Sequence, residues 1–288
     1  MGTSRKGITF LLTGSTSGIG RETARALGAA GASLFIHGRD RAKVEALKAE
    51  LAGSGAPVGT FVADLASLEQ VARLAAEVAG SVDSLDVLIN NAGVGTAVQA
   101  KTRELSADGH ELRFAVNYLA AFLLTEELLK RGLPRKAVIN VASAGQEDLD
   151  FSDLMTEGGY SGARVYCRSK LAMIMMSLDL AESHPRLRSN ALHPGTYLDT
   201  SMVRRAGIQP LGPASRGAQS ILAVISAALD GGTTGTYFNE SRPSRALAQA
   251  YDPAARRRLR EASLALVAPY RSRAARDGRG GQDRAERH

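Results

Sequence analysis

The chain has 288 residues, of which 44% are hydrophobic and 23% are charged. This composition is typical of a globular protein with a sizeable core, and it excludes a chain that is disordered throughout. A single cysteine excludes an intramolecular disulfide framework and a cysteine-based zinc site, and no metal site is predicted. The net charge is +7, but ten arginines and five acidic residues give residues 251–288 alone a charge of +5. Since the rest is nearly neutral, we predict no binding to nucleic acid.

The N-terminal region lacks the features of a targeting segment. Its apolar run over residues 8–12 is too short for a signal sequence. No run of about 18 apolar residues occurs, so no transmembrane helix is expected. We therefore predict a cytoplasmic location.

Short apolar segments alternate with longer helical patterns along the chain. This alternation predicts right-handed βαβ crossovers and a doubly wound, mostly parallel sheet with helices on both faces, an α/β fold. The expected elements are strands over 8–12, 33–37, 58–62, 85–89, 137–141 and 189–192, and helices over 19–30, 41–51, 68–78, 111–130 and 163–182.

Irregular segments over 144–162 and 196–213 each follow the carboxyl end of a predicted strand, where ligands bind in open α/β sheets. We expect residues 1–273 to form one domain that includes both segments and a helical extension over 243–267. Within the extension, helices are predicted over 243–250 and 253–267, with Arg256–Arg258 facing solvent. Residues 274–288 are predicted to be a disordered basic tail.

The first predicted strand is followed by a glycine-rich turn that opens a helix. Glycines permit a tight turn, and the helix N-terminus offers free N–H groups to a pyrophosphate. Because the turn lies between a strand and a helix, it predicts a dinucleotide site, with an ordinary strand-to-helix turn as the alternative. The turn reads Thr13-Gly14-Ser15-Thr16-Ser17-Gly18-Ile19-Gly20.

This glycine spacing resembles that of the short-chain dehydrogenase/reductase family, and further family motifs follow in the family's order. The Ser143–Tyr166 separation is longer than in compact members, and resembles the retinol-dehydrogenase and protochlorophyllide-reductase branch, which accepts large lipophilic substrates. The resemblance therefore implies a Rossmann fold and an oxidoreductase. The matching residues are Asp64-Leu65, Asn90-Asn91-Ala92-Gly93, Asn117, Ser143, Tyr166 with Lys170, and Pro194-Gly195.

The resemblance assigns the catalytic roles to four residues. Tyr166 would be the general acid in reduction and the general base in oxidation. Lys170 lies one helical turn on, where its charge would lower the tyrosine pKa. Ser143 would polarise the carbonyl, and Asn117 would hold a water that links Lys170 to solvent. Tyr160 is the competing tyrosine, but Arg164 stands where a lysine is required.

The resemblance also assigns the cofactor contacts. Gly38 stands where an NAD-binding protein carries an acid, and Arg39 can pair with a 2′-phosphate, so NADP(H) is predicted. In the alternative, Arg39 is a solvated arginine, Asp40 takes the acidic role, and the cofactor is NAD(H). Asp199 stands where the family has threonine, so Thr196 is expected to contact the carboxamide. The other predicted contacts are the glycine turn 14–20, Asp64, Leu65, Asn91, Ala92, Gly93, Tyr166, Lys170, Pro194 and Gly195.

Apolar residues in the two irregular segments predict walls for a hydrophobic ketone, aldehyde or alcohol, although they can instead pack the segments onto the body. These residues are Phe151, Leu154, Met155, Tyr160, Tyr197, Leu198, Met202 and Val203.

The resemblance allows three functions: an NADP(H)-dependent carbonyl reductase or alcohol dehydrogenase, a reductase of another double bond, and a non-catalytic nucleotide-binding protein. The first is favoured, since Tyr166 and Lys170 are both present. Family members form homodimers or homotetramers through the long helices and the last strand, and retinol-dehydrogenase-like members are often monomers, so the oligomeric state stays open. The extension is expected to pack against the irregular segments or a partner subunit.

Overall fold

A single mixed sheet forms the centre of the molecule. A computed structural model describes residues 4–95 and 102–271. Within them the strands are β1 (Thr9–Leu12), β2 (Ser33–Gly38), β3 (Val58–Val62), β4 (Val87–Asn90), β5 (Ala137–Val141), β6 (Arg188–His193), β7 (Thr236–Asn239) and β8 (Arg242–Ser244). Their order is β3-β2-β1-β4-β5-β6-β7-β8. All pairs from β1 to β7 are parallel and β8 pairs antiparallel with β7, so the predicted doubly wound, mostly parallel α/β fold is confirmed.

Helices cover both faces of this sheet. They are α1 (Gly18–Ala29), α2 (Arg41–Ala52), α3 (Leu68–Ser81), α4 (Leu112–Phe114), α5 (Ala120–Leu129), α6 (Gly162–Ser183), α7 (Ser201–Arg205), α8 (Ala214–Leu229) and α9 (Pro253–Val267). One core packs α3, α5, α6 and α9 on one face, and a second core packs α1, α2 and α8 on the other. Successive side chains of β1 point to opposite faces of the sheet, so Leu11 enters the first core while Phe10 and Leu12 enter the second.

The predicted helix over 111–130 is interrupted. A π-helical segment, Ala115–Leu119, separates α4 from α5 and contains Asn117. Such segments are frequent at functional sites. The hydrophobic pattern of the sequence does not predict this interruption, because all five residues of the segment are buried.

The predicted helix over 243–250 is wrong. Residues Arg242–Ser244 form β8 on the open edge of β7, and a short 3-10 helix follows at Ala248–Tyr251. An edge strand tolerates Pro243, since its missing N–H need not serve a further strand. The helix predicted over 253–267 is confirmed with those bounds, with Asp252 as its N-cap.

The C-terminal segment differs from expectation in one further respect. Arg257 and Arg258 are exposed as predicted, but Arg256 is buried and its guanidinium pairs with Glu182 of α6. The predicted tail over 274–288 lies outside the described residues. Among the residues that are described, none of the helices combines the length and apolar character that crossing a membrane requires.

Candidate functional site

The glycine turn between β1 and α1 has a geometry that requires its glycines. Gly14 and Gly18 have φ angles of +64° and +52°, which disfavour any side chain. A Cβ on Gly20 would lie 2.2 Å from the Gly14 carbonyl oxygen and 2.6 Å from Asn91 Nδ2. Ser17 is the N-cap of α1 but makes no side-chain capping bond. The turn therefore closes tightly on the start of α1, with no serine oxygen occupying the cap.

The ends of β1 and β4 are tied together behind this turn. Thr13 Oγ1 accepts the N–H of Asn91 at 3.0 Å and the N–H of Ala92 at 3.1 Å. In return, Asn91 Nδ2 donates to the carbonyl oxygens of Thr13 at 2.9 Å and Gly14 at 3.0 Å. Thr13 was not among the predicted site residues, although its place directly before the first glycine is a signal that could have identified it.

At the end of β2, the backbone of Gly38 lies against the glycine turn. A Cβ there would lie 2.7 Å from Thr16 Cγ2. Arg39 is exposed at this tip. Asp40 instead caps α2, since its carboxylate accepts the N–H of Lys43 at 3.2 Å. The carboxyl ends of β1, β2 and β4 bound a cleft beside the glycine turn, the cofactor cleft. Its β2 side carries the Arg39 guanidinium, while the neighbouring acid caps α2.

The segment after β3 contains two of the predicted cofactor contacts, Asp64 and Leu65. The Asp64 carboxylate accepts the N–H of Ala66 at 3.0 Å, and its N–H donates to Gln70 Oε1 at 3.0 Å. Leu65 beside it is buried. The local hydrogen bonds hold this segment in place beside the end of β2.

The predicted catalytic side chains lie together beyond the end of β5. Lys170 Nζ donates to the carbonyl oxygen of Val141 at 2.9 Å and lies 5.7 Å from the centre of the Tyr166 ring. Ser143 lies near enough to the Tyr166 hydroxyl for its side chain to favour the phenolate. Ser143 Oγ also accepts the N–H of Gly145 at 3.0 Å. An oxygen that accepts in this way leaves its own hydrogen available for donation.

Burial dominates the acid–base properties of this pair. It raises the pKa of Tyr166, and the Ser143 side chain opposes that rise. It lowers the pKa of Lys170 to about 8. In the protein alone, desolvation of the phenolate sets the direction of the Tyr166 pKa. The lowering of this pKa by the charge of Lys170 stays a prediction.

Asn117 joins α6 to the loop after β4. Its Nδ2 donates to the carbonyl oxygen of Val94 at 3.1 Å and to Ser169 Oγ at 3.0 Å, and its Oδ1 accepts the N–H of Val94 at 2.7 Å. Gly93 leaves the space for this contact, since a Cβ there would lie 3.1 Å from Asn117 Oδ1 and 3.5 Å from Lys170 Nζ. Both amide hydrogens are committed, so only Oδ1 keeps capacity for the predicted water.

The segment after β6 approaches the glycine turn. Pro194 is buried, and Gly195 has a φ of +136°. Thr196 Oγ1 lies 3.0 Å from His193 Nε2, so its hydroxyl is engaged within its own segment. Thr200 comes closer to the turn, because a Cβ on Gly18 would lie 2.9 Å from its methyl carbon. Thr200 thus lies against the glycine turn, although it was not among the predicted cofactor contacts.

The first irregular segment is packed on the body of the protein. Its apolar residues predicted as substrate walls all lie against the first core, which supports the packing alternative for them. The backbone of Leu149 is bonded to the Gln249 side chain, so the extension packs on this segment as predicted. The packed wall residues are Phe151, Leu154, Met155 and Tyr160.

The second irregular segment offers more accessible apolar surface. Tyr197 is 48% exposed and Leu211 is 67% exposed, whereas Leu198 is buried. Met202 on α7 faces the loop after β4, because a Cβ on Gly95 would lie 2.4 Å from its Cγ. This segment therefore carries the apolar surface that a substrate could contact.

Comparison with known proteins agrees with this arrangement. The short chain dehydrogenase family model matches residues 9–210. The chain belongs to the short-chain dehydrogenase family. Mouse (Mus musculus) retinol dehydrogenase 14 is 33% identical over 91% of this chain and 86% of its own length. DnrU of Streptomyces sp. (strain C5), provisionally named a daunorubicin C-13 ketoreductase, is 32% identical over 91% of this chain and 93% of its own. The Pseudomonas aeruginosa RhlG/NADP active-site complex has a TM-score of 0.65 and 25% identity, over 82% of this chain and 95% of that one.

These relatives place the chain on the retinol dehydrogenase branch of the short-chain dehydrogenases, as an oxidoreductase that acts on CH–OH groups. Its fold is the single-domain Rossmann fold. The residues present fit the family's nicotinamide dinucleotide, because the glycine turn folds too tightly for a Cβ at Gly14, Gly18 or Gly20, and the N-terminus of α1 behind it carries no side-chain cap. The competing tyrosine lies elsewhere: the Tyr160 hydroxyl donates to Glu111 Oε1 at 3.0 Å and accepts from Arg113 at 2.8 Å.

Proposed function

We propose that the protein is an NADP(H)-dependent carbonyl reductase or alcohol dehydrogenase for a hydrophobic substrate. The observation that carries this proposal is the convergence of Ser143, Tyr166 and Lys170 beyond β5. Gly93 and Asn91 connect that group to the glycine turn. A protein that only binds the nucleotide has no need of a phenol held beside a buried ammonium.

Each of these side chains has a separate role in the reduction of a carbonyl group. NADPH, when bound, supplies the hydride. The Ser143 hydroxyl accepts from Gly145 and donates its own hydrogen to the substrate oxygen. Tyr166 donates a proton to the same oxygen as negative charge develops there, and its raised pKa keeps the phenol protonated for this role. Lys170, held by Val141, keeps a positive charge beside the phenol below a pH of about 8.

The preference for NADP(H) is supported at the end of β2. Arg39 is exposed, and it follows Gly38, whose backbone lies against Thr16 of the glycine turn. Asp40, the acid that would favour NAD(H), is committed to capping α2. A guanidinium binds a 2′-phosphate by charge-assisted hydrogen bonds, and the Pseudomonas aeruginosa relative was solved with NADP.

The hydrophobic substrate class is supported by the second irregular segment. Tyr197 and Leu211 expose apolar surface there, next to the segment that contacts the glycine turn. Two relatives carry names that refer to retinol and to daunorubicin. The substrate is best sought by following NADPH oxidation across retinoids, steroids, polyketides and simple aldehydes.

The role of Tyr166 is tested by Tyr166→Phe. We expect this variant to fold and to bind NADPH with unchanged affinity, measured by fluorescence titration. It should lose at least 90% of kcat, because the proton donor is gone. Tyr160→Phe is the matched control, since it removes a hydroxyl bonded to Glu111 and Arg113, and it should keep its turnover. If Tyr166→Phe kept more than about a tenth of kcat, the barrier would have changed by less than about 1.4 kcal/mol and the role would be refuted.

The cofactor preference is tested by Arg39→Ala. Hydrogen bonds to charged groups contribute about 1.5–3 kcal/mol, so kcat/KM for NADPH should fall about 10- to 100-fold. Efficiency with NADH should hardly change. Arg41→Ala, another exposed arginine two residues away, is the control. Equal efficiency of the unaltered protein with NADPH and NADH would contradict the preference.

A further inference from the structure

His37 is a buried imidazole close to the cofactor cleft that the mechanism above does not use. It is the penultimate residue of β2 and only 2% of its surface is exposed. Strand β2 lies between β1 and β3, and His37 pairs in register with Phe61 of β3. An imidazole at this place is flanked by the elements that carry the two halves of the predicted dinucleotide site.

Each nitrogen of the His37 ring contacts the backbone of a different element. Nδ1 accepts the N–H of Gly14 at 3.3 Å, and Nε2 lies 3.1 Å from the carbonyl oxygen of Ala63. An amide N–H only donates and a carbonyl only accepts, so the hydrogen of the neutral ring is on Nε2. In addition, the His37 carbonyl oxygen accepts from Ser15 N at 2.9 Å and from Ser15 Oγ at 3.0 Å.

The two backbone partners have distinct positions in the cleft. Gly14 is the first glycine of the turn, with a φ of +64°. Ala63 directly precedes Asp64 and Leu65, two of the predicted cofactor contacts. The His37 ring therefore ties the glycine turn to the segment after β3.

We propose that His37 is a positioning residue for the nicotinamide dinucleotide: it acts through Gly14 on the glycine turn, while the bond to Ala63 holds the ring in its Nε2–H form. The proposal rests on the proposed function, since it requires that this cleft bind the cofactor. Burial lowers the pKa of His37 to about 4, against the opposing charge of Asp64. The ring is therefore neutral near pH 7, and Nδ1 stays free to accept from Gly14.

Three substitutions separate the two contacts. His37→Phe fills a similar space and removes both hydrogen bonds. His37→Asn places an amide oxygen near the position of Nδ1 and keeps the bond to Gly14. His37→Gln places an amide nitrogen near the position of Nε2 and keeps the bond to Ala63. His184→Asn, at the far end of α6, is the matched control.

The experiment measures direct binding of NADPH, and separately of NADH, by fluorescence titration of each variant. We expect His37→Phe and His37→Gln to weaken NADPH binding at least tenfold, and His37→Asn to stay within threefold of the unaltered protein, because the turn carries the pyrophosphate. In kinetics the loss should appear in KM for NADPH and not in kcat. In the unliganded protein, nitrogen chemical shifts of His37 should show the Nε2–H form.

Binding of NADPH by His37→Phe as tight as that of the unaltered protein would overturn the proposal. Equal weakening by the Asn and Gln variants would also overturn it, because the ring would then act by volume alone. If His37→Phe does not fold, the comparison of Asn with Gln decides. Failure of the unaltered protein to bind either NADPH or NADH would instead refute the proposed function, while the ring state of His37 could still be measured.

Discussion

Lys170 is a basic side chain of the catalytic group whose charged form is disfavoured by burial. It is only 4% exposed, and its ammonium donates to the carbonyl oxygen of Val141. Burial lowers its pKa to about 8 from a usual value near 10.5. A difference of this size corresponds to roughly 3 kcal/mol of unfavourable free energy for the charged form. The fold thus carries a buried cation that its own stability does not require.

Replacing this cation should therefore stabilise the protein while abolishing turnover. For Lys170→Met at pH 7 we expect a free energy of unfolding about 1–2 kcal/mol higher, after about 1 kcal/mol is deducted for the lost hydrogen bond. As pH rises above about 8 the native lysine loses its proton before the unfolded one, so the unaltered protein gains stability and the difference shrinks. Urea denaturation at pH 7 and pH 10 measures this, with exposed Lys43→Met as control. A variant less stable at pH 7 would contradict the prediction.

At the residue scale, sequence reasoning located the groups whose chemistry is carried by residue type. Ser143, Tyr166, Lys170 and Asn117 lie close together as predicted. His37 could not be found in this way, because its role depends on the register of β2 against β3 and on the position of Gly14.

At the scale of elements, the C-terminal extension holds the loop that carries Ser143. The Gln249 side chain accepts the N–H of Leu149 at 2.6 Å and donates to its carbonyl oxygen at 3.0 Å. Gln146 Oε1 accepts the N–H of Leu247 at 3.0 Å, and Tyr237 of β7 donates to the Ser143 carbonyl oxygen at 3.0 Å. The first irregular segment is therefore held by hydrogen bonds to the extension and to β7.

Loss of this attachment should affect the substrate more than the cofactor. For Gln249→Ala we expect KM for a hydrophobic substrate to rise about 3- to 10-fold with unchanged NADPH binding. The free energy of unfolding should fall by about 1–3 kcal/mol, because two backbone groups of Leu149 lose their partner. Gln219→Ala, an exposed glutamine on α8, is the control. Kinetics with substrate varied at saturating NADPH, together with urea denaturation, measure both effects. Unchanged substrate KM would show that the segment holds its place without Gln249.

The predictions of secondary-structure elements are wrong where tertiary contacts outweigh the local sequence pattern. The sequence around Pro243 has helix-forming residues after it, but the open edge of β7 recruits Arg242–Ser244 as a strand. The π-helical segment at Asn117 likewise arises where the helix must place one side chain against both Val94 and Ser169. Long apolar strands and capped helices such as α9 were predictable because the local and tertiary preferences agree.

At the scale of the whole molecule, the extension covers the faces that were expected to serve oligomerisation. On α9, Ser263 Oγ lies 2.8 Å from the Tyr118 hydroxyl, and Arg260 pairs with Glu126 of α5 at 2.9 Å and with Asp179 of α6 at 3.5 Å. Strand β8 occupies the edge of β7. The long helices and the last parallel strand are thus already in contact with this chain's own residues.

We therefore expect the protein to be a monomer, with a stability that depends on α9. Light scattering after size-exclusion chromatography should give the mass of one chain. A chain ending at Ala250 should unfold at least several degrees lower and form larger species, because the apolar surface around Tyr118 and Phe122 loses its cover. A chain ending at Arg273 retains every contact described above, so it should match the full chain in oligomeric state, activity and melting temperature. A stable dimer of the full chain, or a chain ending at Ala250 that stays monomeric with the full melting temperature, would show that α9 is not the element that closes this face.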